Sequence, residues 1–130
     1  MSTFFRPTFA TACLLSALLH SAHAGPSAPQ PFKLCGWVSN PAPAEVSLIQ
    51  PGSTWHISQP GHYQANGDWT GARGAEWVGQ PNGLGHGCGC MRVVADAGEH
   101  RISRILSAQP QPRAWCTKNA KLRDLEPKPR

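Results

Sequence analysis

Apolar and polar positions alternate over short stretches along most of this chain. Only one segment, near the N-terminus, is continuously apolar. At 54–58, Trp55 and Ile57 fall on one side and Thr54, His56 and Ser58 on the other, the period of two of a half-buried strand. A run at 45–50 carries Val46, Leu48 and Ile49. Pro51-Gly52 separates the two runs and suits a tight turn, because proline presets φ and glycine accepts positive φ. Together they predict a β-hairpin. A further strand is predicted at 32–38 and is expected to end at Asn40-Pro41-Ala42-Pro43. The strongest strand pair lies at 88–95 and 100–107, joined by the turn Asp96-Ala97-Gly98-Glu99. Within the second partner, Ile102, Ile105 and Leu106 also have helical spacing.

Elsewhere the pattern is weaker. Glycines at 67, 71, 74 and 79 disfavour a helix over 63–80, which is expected to be irregular with one short strand at 76–78. Pro110 and Pro112 break the chain before Trp115-Cys116, and Thr117 is expected to cap one short helical turn carrying Leu122 and Leu125. No solenoid-type repeat is visible. The fold class that follows is mainly β: a small antiparallel sheet or partly open barrel with at most a short C-terminal helix.

The apolar N-terminal run changes how the cysteines are read. Arg6 precedes it, it carries no charge from Phe9 to Leu19, and Ala22-His23-Ala24 places small residues where a signal peptidase reads them. A membrane-spanning helix needs about 20 apolar residues, more than this run offers. Residues 1–24 are therefore expected to be a secretory signal, removed after Ala24, leaving no stable membrane anchor. The mature protein is expected to be periplasmic or secreted. Removing the signal takes away Cys13 and leaves Cys35, Cys88, Cys90 and Cys116, an even set suited to two disulfides in an oxidising compartment. Residues 25–31 form a proline-rich leader, 32–126 a single β-rich domain and 127–130 a loose tail. Large aliphatic residues are few for such a domain, and two disulfides compensate for a thin core.

The stretch from Gly83 to Cys90 alternates glycine with Leu84, His86, Cys88 and Cys90. Extended, it puts glycines 83, 85, 87 and 89 on one face, which marks close approach by another backbone or an aromatic ring. Same-face residues two apart on a strand are roughly 6.5–7 Å apart at Cα, at or beyond easy disulfide reach. Cys88 and Cys90 are therefore expected to pair separately with Cys35 and Cys116, in an order the sequence does not fix. The competing reading is a copper or zinc site built from His86, Cys88 and Cys90, completed by His56 or His62, since imidazole and thiolate suit those metals. A third use of the pair is redox exchange, but no helix follows to lower a thiol pKa.

Charge adds a candidate contact surface. The signal removes Arg6, so the 12 basic residues become 11 against 7 acidic ones, a net +4. All of this excess lies after Cys90, where nine basic residues face four acidic ones, against two basic and three acidic before it. It points to an anionic envelope component as a partner of the basic C-terminal half. No specific nucleic acid and no cofactor are expected. The glycine row leads into a strand and lacks a following lysine with Ser or Thr, which excludes a phosphate loop. G-x-S-x-G and H-E-x-x-H are absent. Asp68 and Glu76 are the carboxylates closest to a catalytic pair, and Trp37, Trp55, Trp69 and Trp77 the candidates for a sugar-stacking platform. Both sets have bland readings, as loop acids and core aromatics.

Cys35-Gly36-Trp37, Asn40-Pro41-x-Pro43, Trp55-x-Ile57, Gly61-x-Tyr63-Gln64-Ala65, Trp77-Val78, Gly87-Cys88-x-Cys90 and a late Cys116 together resemble a family of small exported bacterial proteins classed as a domain of unknown function. The resemblance covers nearly the whole mature domain and implies a Gram-negative exported origin with four matched cysteines. It implies no activity. The expectation is a non-enzymatic binding or envelope-accessory protein; a metal binder and a periplasmic hydrolase inhibitor are the alternatives.

Overall fold

The computed structural model describes residues 28–129. The expected signal, residues 1–24, lies outside the described residues, as does the start of the proline-rich leader. Residues 28–31 carry no regular structure. Seven strands follow: β1 (Phe32–Ala42), β2 (Glu45–Gln50), β3 (Ser53–Gln59), β4 (Tyr63–Gln64), β5 (Val78–Gly79), β6 (Gly85–Asp96) and β7 (Arg101–Pro110). A single 3-10 turn, Thr70–Ala72, lies between β4 and β5, and two short helices, α1 (Arg113–Thr117) and α2 (Ala120–Arg123), close the chain.

The sheet runs in the order β1-β2-β3-β7-β6-β5, and β1 also pairs with β6. The strands thus pair in a ring without forming a barrel. The pairings are antiparallel except for β3 with β7, which meet in parallel at His56 and Arg101, and a parallel bridge between Asn66 and Arg104. The sheet is mixed for that reason.

Period-two alternation sorts the side chains of β1 and β6 onto two faces. Leu34 and Val38 from β1, with Met91 and Val93 from β6, point inward and join Val46, Leu48, Trp55, Ile57, Ile102 and Ile105 in the main core. Cys35 and Trp37 of β1, and Cys88 and Cys90 of β6, point the other way. There Trp37, Cys88, Cys116 and Leu122 form a second, smaller core beneath α1 and α2. Trp37 is fully buried, and its indole N–H donates to the Leu122 carbonyl at 2.7 Å.

Several local departures from the sequence pattern have physical causes. β1 does not stop at Asn40-Pro41. Its pairing with β6 ends at Asn40–Gly85, and its pairing with β2 slips between Ser39 and Ala42, so Pro41 sits at an irregularity where no ladder N–H is required. Gly83 is not part of the glycine strand. It has φ of +84° in the turn before β6. The helical spacing in β7 arises from two register shifts, between Arg92 and Val93 and between Val94 and Ala95. Each leaves an extra residue on β7, so Ile102 and Ile105 both face the core three residues apart. The helix cap is Asn119 rather than Thr117, because Thr117 is the last residue of α1. The Asn119 side chain accepts the Lys121 backbone N–H at 3.0 Å.

Candidate functional site

Two disulfides fix the outer face of the β1–β6 pair. Cys35 and Cys90 stand directly opposite each other across the two strands and are bonded, with Cα atoms 4.1 Å apart. Cys88 reaches over to α1 and bonds Cys116, Cα to Cα 5.9 Å. Cys88 and Cys90 thus have separate partners, and the helical cap is covalently tied to the central strand. In this pairing Cys88 and Cys90 offer no thiolate to the copper or zinc site considered as the alternative. His86, Cys88 and Cys90 do share one face, but a disulfide sulfur is not a thiolate donor. The described residues contain no group of three or more His, Cys, Asp or Glu side chains able to hold a metal.

His86 instead belongs to a structural network. Its ring lies nearly edge-on to Trp37, centroids 5.7 Å apart, and its Nε2 is 3.1 Å from the Glu126 carboxylate. The Arg113 guanidinium donates to both oxygens of the same carboxylate at 2.6–2.8 Å, and the Arg113 backbone N–H donates to Glu76 at 2.9 Å. Burial pushes the Glu126 carboxyl up, but the hydrogen bonds from Arg113 and His86 and their charges outweigh it. Its pKa is held below the ordinary glutamate value. Neither Arg113 nor Glu126 stands out in the sequence, because their meeting depends on the path of the chain after β7.

On the inner face, the glycine row does what its pattern suggests. The Trp77 ring lies against Gly87, where a Cβ would come within 2.8 Å of Cε3. Its indole nitrogen lies against Gly79 and Gly85, where a Cβ would come within 2.6 and 2.9 Å. Trp69 packs near Trp77 at 6.2 Å, and the Arg73 guanidinium sits over both rings, 4.6 Å from Trp69 and 5.7 Å from Trp77. Trp37 and Trp55 are buried core residues, so they provide no sugar-stacking platform. The segment from Trp69 to Trp77 holds only a short 3-10 turn, Thr70–Ala72, so the stack follows from the path of an irregular loop and no sequence pattern marks it.

The other candidate residues are engaged locally. Asp68 accepts the backbone N–H and the hydroxyl of Thr70, and these bonds hold its pKa below the ordinary aspartate value. Glu76 faces Arg113, so the two acids do not form a catalytic pair. His56 donates its backbone N–H to the His100 carbonyl at 2.8 Å, and the His100 ring packs on Trp55. Tyr63 donates to the Ile102 carbonyl. Burial raises its pKa, and the charge of Arg101, whose guanidinium lies over the ring, acts in the opposite direction.

What remains at the surface is positive charge. Six of the seven acids have named partners: Asp68 with Thr70, Glu76 with the Arg113 backbone, Asp96 with the turn amides of Gly98 and Glu99, Glu99 with Arg101, Asp124 with Arg123, and Glu126 with Arg113 and His86. Lys33, Arg92, Arg104, Lys118 and Lys121 are exposed and form no ion pair among the described residues. Trp115 stands among the C-terminal cations, 45 % exposed.

The family model described as "Protein of unknown function (DUF4087)" matches residues 31–123, most of the described chain. The chain belongs to this family. The match starts one residue before β1 and ends at the last residue of α2, so both disulfides and the helical cap lie within the family domain. No curated protein and no solved structure matches the chain.

Proposed function

We propose that the mature chain is an exported, disulfide-stapled binding domain. It acts by non-covalent association with an anionic component of the bacterial cell envelope, and not as an enzyme. The supporting observation is the distribution of charge over the fold. Acidic side chains are tied into local hydrogen bonds, while Lys33, Arg92, Arg104, Lys118 and Lys121 stand exposed without a carboxylate partner among the described residues. Exposed Trp115 beside Lys118 adds an amphipathic element suited to a polar–apolar boundary. The N-terminal pattern of residues 1–24 and the two disulfides favour an oxidising compartment outside the cytoplasm.

Co-sedimentation with vesicles tests this reading. The mature protein is expected to bind phosphatidylglycerol vesicles at low salt, to release as salt rises, and to ignore phosphatidylcholine vesicles. Reversing charge at Lys118 and Lys121 weakens the binding. Equal retention on both vesicle types, or none on either, overturns the reading.

A further inference from the structure

Two of the exposed cations are held side by side by the sheet itself. Lys33 on β1 stands directly opposite Arg92 on β6, two rungs from Cys35 and Cys90 in an unbroken register. Rungs of an antiparallel pair alternate between wide and close types. The Cys35–Cys90 rung, at 4.1 Å between Cα atoms, is of the close type, so the Lys33–Arg92 rung is close as well. Like charges directly opposite one another in this arrangement repel. The neighbouring disulfide prevents the strands from slipping to separate them.

Both side chains project from the outer face, away from the main core. On the next strand Ser107 stands opposite Arg92, and Gln109 opposite Cys90. Lys33, Arg92, Ser107 and Gln109 line a hollow of about 200 Å³ together with Cys90 and Met91. The hollow therefore gathers an ammonium, a guanidinium, a hydroxyl and a carboxamide. None of the seven acidic residues lines it.

We propose that this hollow is a binding site for a phosphate-type oxyanion. A tetrahedral anion with several acceptor oxygens takes a bidentate pair of hydrogen bonds from Arg92 and a point charge from Lys33, while Ser107 and Gln109 supply further donors. The bound anion cancels the repulsion that the register imposes, so the strands and the ligand stabilise each other. The same chemistry is carried by free phosphate and by an anionic lipid headgroup. The site deepens the anionic-partner reading by naming a subsite and a ligand class, and it rests on that reading only for the headgroup source.

Four proteins test it: wild type, Lys33→Ala/Arg92→Ala, Arg92→Ala alone, and Lys118→Ala/Lys121→Ala. Thermal midpoints are measured in sodium phosphate against sodium chloride at matched ionic strength. The wild type and the Lys118/Lys121 variant are expected to gain several degrees, saturating with phosphate, and the Lys33/Arg92 variant to gain nothing. In dilute chloride, Arg92→Ala should raise the midpoint, because it removes the repulsion. An equal phosphate shift in wild type and the Lys33/Arg92 variant overturns the proposal, as does no shift in the wild type. Vesicle binding by the same proteins separates the sources. Loss of phosphatidylglycerol binding on changing Lys33 and Arg92, with competition by phosphate, assigns the headgroup. A phosphate shift without vesicle binding leaves the site standing with a free oxyanion as ligand and removes the envelope reading. Vesicle binding that depends on Lys118 and Lys121 alone, without a wild-type phosphate shift, removes this site and leaves the envelope reading intact.

Discussion

Replacing Gly87 by alanine probes the contact that organises the inner end of the sheet. The new Cβ would lie 2.8 Å from Trp77 Cε3, where ordinary contact begins near 3.4 Å, so the indole must withdraw by several tenths of an ångström. It has little room to do so, because its nitrogen already lies against the backbone at Gly79 and Gly85 and Trp69 and Arg73 pack nearby. Overpacking of this kind costs about 1–3 kcal/mol. The lower chain entropy of alanine in the unfolded state returns about 0.4–1 kcal/mol. The net expectation is a loss of about 1–2 kcal/mol, or a drop in Tm of about 4–8 °C per kcal/mol for a domain of this size. Urea unfolding followed by far-UV circular dichroism measures it. The same substitution made in a Trp77→Ala background should cost little or nothing, since the clashing ring is gone. Gly87→Ala at wild-type stability, or an equal loss in both backgrounds, would refute the account of the glycine row.

Three further outcomes follow from the outer face and its cap. Leu122→Ala removes a buried side chain beneath the helices and is expected to cost about 2–4 kcal/mol in urea unfolding; a loss below half a kcal/mol would show that α2 does not close the second core. Because the folded-state pKa of Glu126 is depressed, its contribution is present above the unfolded glutamate pKa and is lost as pH falls through the folded value. Glu126→Gln should therefore flatten the acid limb of the stability profile, and an unchanged acid limb would contradict the Arg113–Glu126–His86 network. Cys35 is partly exposed whereas Cys88 and Cys116 are buried, so limiting dithiothreitol with alkylation and peptide mapping should open Cys35–Cys90 first; earlier labelling of Cys116 would contradict the burial of the second core.

Much of this arrangement is legible in the residues, because it depends on local rules. Pro51-Gly52 dictates the β2–β3 turn, with Gly52 at φ +77°, and the Asp96–Glu99 turn is closed by the Asp96 side chain. Strand spacing disfavours a Cys88–Cys90 bond, and the glycine row marks close approach by another backbone or an aromatic ring. What the sequence leaves open is register. The choice of Cys90 for Cys35, the bulges that give β7 its helical spacing, and the juxtaposition of Lys33 with Arg92 all depend on how distant strands align. The Glu126–Arg113–His86 network is hidden for the same reason, since its members are separated by 13 and 40 residues. The shared face of His86, Cys88 and Cys90 does not by itself reveal that both sulfurs are bonded to distant partners.

The most direct test of a stapled, exported domain is the intact mass of the protein recovered from the periplasm of its producing cell, before and after reduction. The account predicts a chain beginning at Gly25. Its mass rises by four hydrogens on reduction, it has no free thiol beforehand, and mapping gives Cys35–Cys90 and Cys88–Cys116. A chain that retains residues 1–24, free thiols before reduction, or a metal ion held through Cys88 and Cys90 would contradict it.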